Sequence, residues 1–110
     1  MQRLKQRADF LAAAAGIKAP GAAFVLQARA RGDVAAPRFG FTVSKKVGNA
    51  VERNRVRRRL REVVRLSAAL PAEAGHDYVL IGRRAALAMP FERIVAEFAG
   101  ALKRVTRRRG

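Results

Sequence analysis

The sequence predicts a single small α+β domain in the order helix, strand, strand, helix, strand, helix, and three observations carry that expectation. Apolar residues recur with helical spacing in three stretches and with strand-like spacing in three others. The turn signals Pro20-Gly21, Gly32-Asp33, Pro37, Pro71 to Gly75 and Pro90 separate those stretches. Neither an internal repeat nor a long linker divides the 110 residues. The domain is expected over residues 1–102, with a basic tail over 103–110.

Residues 3–15 read as a first helix closed by Gly16, with Leu4, Ala8, Leu11, Ala12 and Ala15 on the core side. Phe10 falls on another face with Arg3, Arg7 and Ala14. A ring among arginines can stack a base while its neighbours hold phosphates, or it can simply pack under an adjoining element. Both readings stand at this point. Ile17 to Gly21 reads as a turn, and AAFVLQARA, residues 22–30, as a strand, with room for one more short strand in this first hairpin. Arg38 to Ser44 alternates more cleanly: Phe39, Phe41 and Val43 point one way to build the core, while Arg38, Gly40, Thr42 and Ser44 point the other. That second face is either solvated or open to an extended single strand.

From Asn49 a helix follows, because Val56, Leu60, Val63, Val64 and Ser67 recur at i, i+4, i+7, i+8 and i+11. Asn54, Arg57, Arg58, Arg61 and Arg65 collect on the opposite side. Asn49 and Glu52 have the spacing of a capping box, which starts the helix near Ala50. Glu62 can pair with Arg58 or Arg65, but each such pair contributes only about 0.2–0.5 kcal/mol. The repulsion among the arginines therefore persists until an anionic partner relieves it. Pro71 to Gly75 breaks the chain, and DYVLIGRR, residues 77–84, is apolar enough to be a strand covered on both faces. Pro90 opens a last helix with Ile94, Phe98, Ala101, Leu102 and Val105 on one stripe, and Lys103 to Gly110 is expected to fray.

With 24 Lys plus Arg against 8 Asp plus Glu, the net charge is +16. Such a chain attracts polyanions over a Debye length of about 8 Å in physiological salt, and nucleic acid is the default partner. A membrane-surface peptide is disfavoured, since a chain that is 50% hydrophobic at this length can bury a core of its own. No cysteine is present, which fits the cytoplasm. The start, MQRLKQRADFLAAAAGIKA, imitates an export signal, but Asp9 and the short apolar run argue against one. No stretch reaches the roughly 18 apolar residues of a spanning helix. Catalytic chemistry is hard to assemble. His76 stands in a Gly-His-Asp turn where a solvated role is expected, and no two carboxylates share a spacing suited to a metal pair or to acid and base work.

The run RFGFTVSKKVGNAVERNRVRRRLRE, residues 38–62, resembles the signature of the bacterial ribonuclease P protein subunit. The order fits beyond it, through Arg3-Leu4-Lys5, Asp9-Phe10, Phe24-Val25-Leu26 and Asp77-Tyr78-Val79-Leu80-Ile81. The resemblance implies a non-catalytic subunit that assists removal of the 5′ leader from precursor tRNA and broadens the substrate range. The RNA subunit and its magnesium ions would carry the hydrolysis, with no cofactor bound by the chain alone and no obligate protein partner. By position, the RNA-subunit surface would comprise Arg53, Asn54, Arg55, Arg57, Arg58 and Arg61 with Lys45 and Lys46, and the leader cleft Phe10, Phe24, Arg38 and Thr42. The family often carries further aromatics where this chain has Ala14 and Gln27. It also implies a left-handed strand-helix-strand crossover, although such connections are right-handed in about 98% of cases. Two rivals remain: a ribosomal-type structural RNA binder with no role in cleavage, and a double-stranded DNA reader, disfavoured because the arginine helix runs straight into a core strand.

Overall fold

The computed structural model describes residues 2–67 and 72–109. Five strands, β1 (Gln2–Arg3), β2 (Ile17–Pro20), β3 (Phe24–Ala30), β4 (Arg38–Val43) and β5 (His76–Gly82), form one mixed sheet in the order β1-β4-β5-β3-β2. Three helices, α1 (Arg7–Ala14), α2 (Ala50–Leu66) and α3 (Phe91–Arg109), complete the α+β domain. β4 and β5 are parallel neighbours joined through α2, which makes the expected strand-helix-strand crossover. β3 pairs antiparallel with both β5 and β2.

The sheet has two unlike faces. α2 and α3 cover one, over a core that includes Phe24, Leu26, Phe39, Val43, Val56, Leu60, Tyr78, Leu80, Phe98, Leu102 and Val105. Each such side chain contributes about 1.5–3 kcal/mol on leaving water, so this layer supplies most of the stability. α1 covers only part of the other face, over Leu4, Ala13 and Val79, with Phe10 and Ile81 packed against them. A groove is left beside α1 on that face.

Several expectations are corrected. The first helix does not begin at residue 3: Gln2 and Arg3 pair with the free edge of β4, and the Leu4 amide donates to the Phe39 carbonyl at 2.8 Å. Pairing the exposed edge satisfies backbone groups that a longer helix would leave open. The helix is also rotated from its expected setting, for Ala13 is buried while Ala8 and Leu11 are exposed. An alanine-rich helix has little hydrophobic contrast to fix its rotation, and close approach to the sheet favours the smallest side chain. Ile17–Pro20 is a strand and not a turn; Pro20 is tolerated because β2 is an edge. His76 is the first residue of β5, 5% exposed, with its ring stacked 6.1 Å from that of Tyr78. The boundary expected at 102 falls inside α3, where Val105 belongs to the core. Gly75 has a φ of 74° and turns the chain into β5 as expected, whereas Pro71 lies outside the described residues.

Candidate nucleic-acid interface

α2 begins where the sequence places it. The Glu52 amide donates to Asn49 Oδ1 at 2.9 Å, and the Asn49 amide donates to Glu52 Oε1 at 3.0 Å. The Asn49 amide, followed by Arg84, holds the Glu52 carboxyl below its ordinary range. Arg84 also donates to the Val47 carbonyl, so the loop before α2 is tied to the segment after β5. No sequence signal announces that tie, since 32 residues separate Arg84 from Glu52.

With Val56, Leu60, Val63 and Val64 buried, the helix turns Asn54, Arg55, Arg58 and Arg65 fully outward and leaves Arg53, Arg57 and Arg61 half-buried. Arg57 donates to Asn54 Oδ1 at 2.7 Å, which aligns those two side chains. Arg65 pairs with Glu62. Among the described residues Arg53, Arg55, Arg57, Arg58 and Arg61 have no carboxylate partner, nor do the exposed Lys45 and Lys46 in the 3-10 turn before α2. All eight expected RNA-subunit residues therefore belong to one continuous segment, seven of them cations without a counter-charge. Arg59 is the exception on this helix. It donates to the Met89 carbonyl and lies 5.9 Å over the Phe91 ring, so it fastens α2 to the start of α3.

The second region is the groove between α1 and the sheet, about 470 Å³ in volume. Phe10, Leu11 and Ala14 line it from α1, Gln27, Thr42, Val79 and Ile81 from the sheet, with Lys5 and Arg7 at its mouth. Gly40 makes the position of Phe10 possible, because a Cβ there would stand 2.5 Å from Phe10 Cε1 and 2.7 Å from Cζ. The ring lies on bare backbone. Phe10 thus packs against the sheet and lines the groove at once.

Two expected cleft residues are elsewhere. Phe24 is 0% exposed and meets Phe98 edge-on at 6.2 Å, because β3 turns Phe24, Leu26 and Ala28 to the core and Val25, Gln27 and Arg29 to the α1 side. Arg38 faces the α1 side, but its guanidinium is committed to Asp77, at 2.8 Å from Nε and 2.9 Å from Nη2. Arg31 and Arg29 reach the same carboxylate at 2.6 and 3.5 Å, and Asp9 lies 3.5 Å from Arg38. Burial would raise the Asp77 carboxyl, but hydrogen bonds from Arg38 and Arg31 outweigh that and hold it below its ordinary value. Phe10 and Thr42 remain in the groove. Ala14 and Gln27, the positions where the resemblance implies further aromatics, also line it, whereas Lys5, Leu11, Val79 and Ile81 were not anticipated there.

The ribonuclease P family model matches residues 1–106. A ribonuclease P protein component of Paramagnetospirillum magneticum is 52% identical over 112 residues, covering 96% of this chain and 83% of the relative. One of Gluconacetobacter diazotrophicus is 50% identical over 109 residues, covering 98% and 90%. The solved ribonuclease P protein of Thermotoga maritima superposes with a TM-score of 0.74 at 28% identity, covering 97% of each chain. A match over nearly the whole length, on a fold with an uncompensated arginine helix, means that the chain belongs to the ribonuclease P protein family, the protein components of that tRNA-processing ribonucleoprotein.

Proposed function

We propose that this chain binds the catalytic RNA of ribonuclease P through the cationic face of α2 and the single-stranded 5′ leader of precursor tRNA through the groove beside α1, and takes no part in bond breaking itself. The observation that carries this reading is the set Lys45, Lys46, Arg53, Arg55, Arg57, Arg58 and Arg61, whose charges lack carboxylate partners within the described chain. Phosphates supply the missing counter-charge. The groove suits a strand with splayed bases, since it combines an aromatic ring, an apolar floor and basic side chains at its mouth.

A non-catalytic role fits the titratable groups. Burial pushes the Tyr78 phenol up to about 12, and its hydroxyl accepts from the Glu73 amide, so it stays a neutral structural group. Among the described residues no three His, Asp or Glu side chains converge where a metal ion could be held, and Asp9 and Asp77 are engaged by arginines. This reading assigns the ions required for hydrolysis to the RNA. Action in the cytoplasm without an obligate protein partner goes with this reading; no helix among the described residues is long and apolar enough to cross a membrane.

Reconstitution with the catalytic RNA of the same organism provides the test. The purified chain should raise precursor tRNA cleavage at low magnesium, and the chain alone should leave the substrate intact. His76→Phe, which keeps a ring against Tyr78, should not alter cleavage by the complex. Cutting by an RNA-free preparation would overturn the assignment, and binding of RNA with no effect on cleavage would favour the ribosomal-type alternative.

Phe10 tests the groove. Stacking of one base contributes about 1–3 kcal/mol, so Phe10→Ala should weaken leader-bearing substrate by roughly 5- to 150-fold relative to mature tRNA. Because the half-exposed ring also packs on Leu4, Ala13 and Val79, this variant should melt lower, by less than the roughly 3–5 kcal/mol of a fully buried Phe. Gly40→Ala keeps the ring but forces it to move. It should reproduce the loss of leader discrimination, and an unchanged affinity ratio in both variants would remove Phe10 from the leader site.

A further inference from the structure

We infer that the hollow between α2 and the start of α3 is a stacking site for one unpaired base of the catalytic RNA, with the Phe91 ring as its platform. This inference rests on the RNA-binding role proposed above for α2 and adds to it a contact that is not electrostatic. Arg55, Arg58, Arg59 and Glu62 follow one another at i, i+3, i+4 and i+7, so they share one side of α2. With Phe91 from the first turn of α3 they line a hollow of about 370 Å³, and clefts that take small ligands run from roughly 300 to 1,000 Å³.

Phe91 is half-buried: it packs against the main core and also lines the hollow. Arg59 is fixed by its bond to the Met89 carbonyl and stands 5.9 Å over the ring, so the platform is held in place before any ligand arrives. Arg55 and Arg58 on the rim have no carboxylate partner among the described residues. An aromatic ring beside uncompensated guanidinium groups is the combination that stacks a base and holds the phosphates on either side of it. Glu62 decides between a base and a bare phosphate as the occupant. Its pairing with Arg65 takes only part of its capacity, since a carboxylate has about four acceptor sites. A carboxylate on the rim repels a phosphate placed in the hollow but accepts an N–H from the edge of a base, as glutamate does from an exocyclic amine. The base therefore enters, and its phosphates stay outside with Arg55 and Arg58. The nucleotide is an unpaired one, because bases inside a duplex keep both faces stacked on their neighbours.

The test uses the chain reconstituted with the catalytic RNA of the same organism. Chemical probing of base edges should find one unpaired nucleotide whose reactivity falls when the wild type binds and returns to the free-RNA level with Phe91→Leu, while the other protections stay. Phe91→Leu keeps apolar volume against the core but has no ring. It should bind the RNA at least about fivefold more weakly, the lower end of what one stacked base contributes. The slope of log K against log salt should not change, because no phosphate contact is lost. Phe91→Tyr, which keeps the ring, should bind as the wild type does. An abasic replacement of the probed nucleotide should cost the wild type the same factor and cost Phe91→Leu nothing further, which a purely structural Phe91 would not produce. Unchanged affinity in Phe91→Leu, or an abasic RNA that weakens both proteins equally, overturns the stacking site. So does a loss that comes with a shallower slope, since the arginines would then have been displaced. A wild type with no salt dependence overturns the role of α2 itself, and the two failures are distinguished by that wild-type slope.

Discussion

Asp77→Ala should destabilise the domain by roughly 3–5 kcal/mol, the cost of leaving buried charge uncompensated. The Asp77 carboxylate is 0% exposed and accepts from Arg31 and from both Nε and Nη2 of Arg38. Arg31 itself is 7% exposed at its side chain and also donates to the carbonyls of His76, Ala35 and Ala36, so it pins the loop between β3 and β4 to the start of β5. Without Asp77, the carboxylate left to Arg31 is the half-exposed Asp33, and the one left to Arg38 is Asp9 at 3.5 Å. Each kcal/mol lost lowers the melting temperature of a domain this size by about 4–8 °C, so the effect is visible in a simple melting curve. Asp77→Asn, which keeps acceptor and shape, separates charge from hydrogen bonding. The folded-state carboxyl is held below its ordinary 3.8, so its contribution is complete above that value and is lost as pH falls through the folded value. Melting of the wild type should therefore fall steeply below about pH 4, and the Asn variant should show a shallower decline over the same window. A Tm for Asp77→Ala within a degree or two of wild type would mean that the arginines find other partners.

This network also marks where the sequence is mute. Arg38 and Asp77 lie 39 residues apart, and nothing local distinguishes an arginine that closes a buried ion pair from one that waits for a phosphate. α2 is the opposite case. Its cap is made by two residues three apart, and its apolar and basic faces differ so strongly that periodicity alone fixes the rotation. α1 lacks that contrast. Its alanines carry nearly equal hydropathy on every side, and the setting is decided by how closely Ala13 approaches the sheet and by Phe10 resting on Gly40. For β3 the difficulty is phase. In AAFVLQARA apolar residues occupy both alternations, and the choice that buries Phe24 is made by Phe98, 74 positions later in the chain. The same phase puts Gln27 on the groove floor, where the resemblance expected that position, so one tertiary contact decides both a misplaced cleft residue and a correctly placed one. β1 and β2 are short edge strands whose identity comes from the neighbours they pair with, β4 and β3.

The arginine face should make affinity for the RNA subunit fall about a thousandfold between 50 and 200 mM salt, as expected when some six side chains neutralise phosphates and release counterions. The count is grounded in the side chains themselves: Arg53, Arg55, Arg57, Arg58 and Arg61 have no carboxylate partner among the described residues, and Lys45 and Lys46 extend the same segment. Changing Arg57, Arg58 and Arg61 to Gln removes about half of those contacts and should lower the slope of log K against log salt by about 2–3. Arg57 and Arg61 are half-buried, so their aliphatic stems cover apolar surface; Gln keeps part of each stem, and the melting temperature should hold or rise as like-charge repulsion is relieved. Arg59 provides the contrast within one helix. Its donation to Met89 and its position over Phe91 make it a packing arginine, so Arg59→Gln should lower the melting temperature while leaving the salt slope nearly intact. A wild-type slope near zero, or a triple variant with an undiminished slope, would show that the RNA is held by another surface. A triple variant that melts far below the wild type would mean that these arginines serve the fold before they serve the RNA.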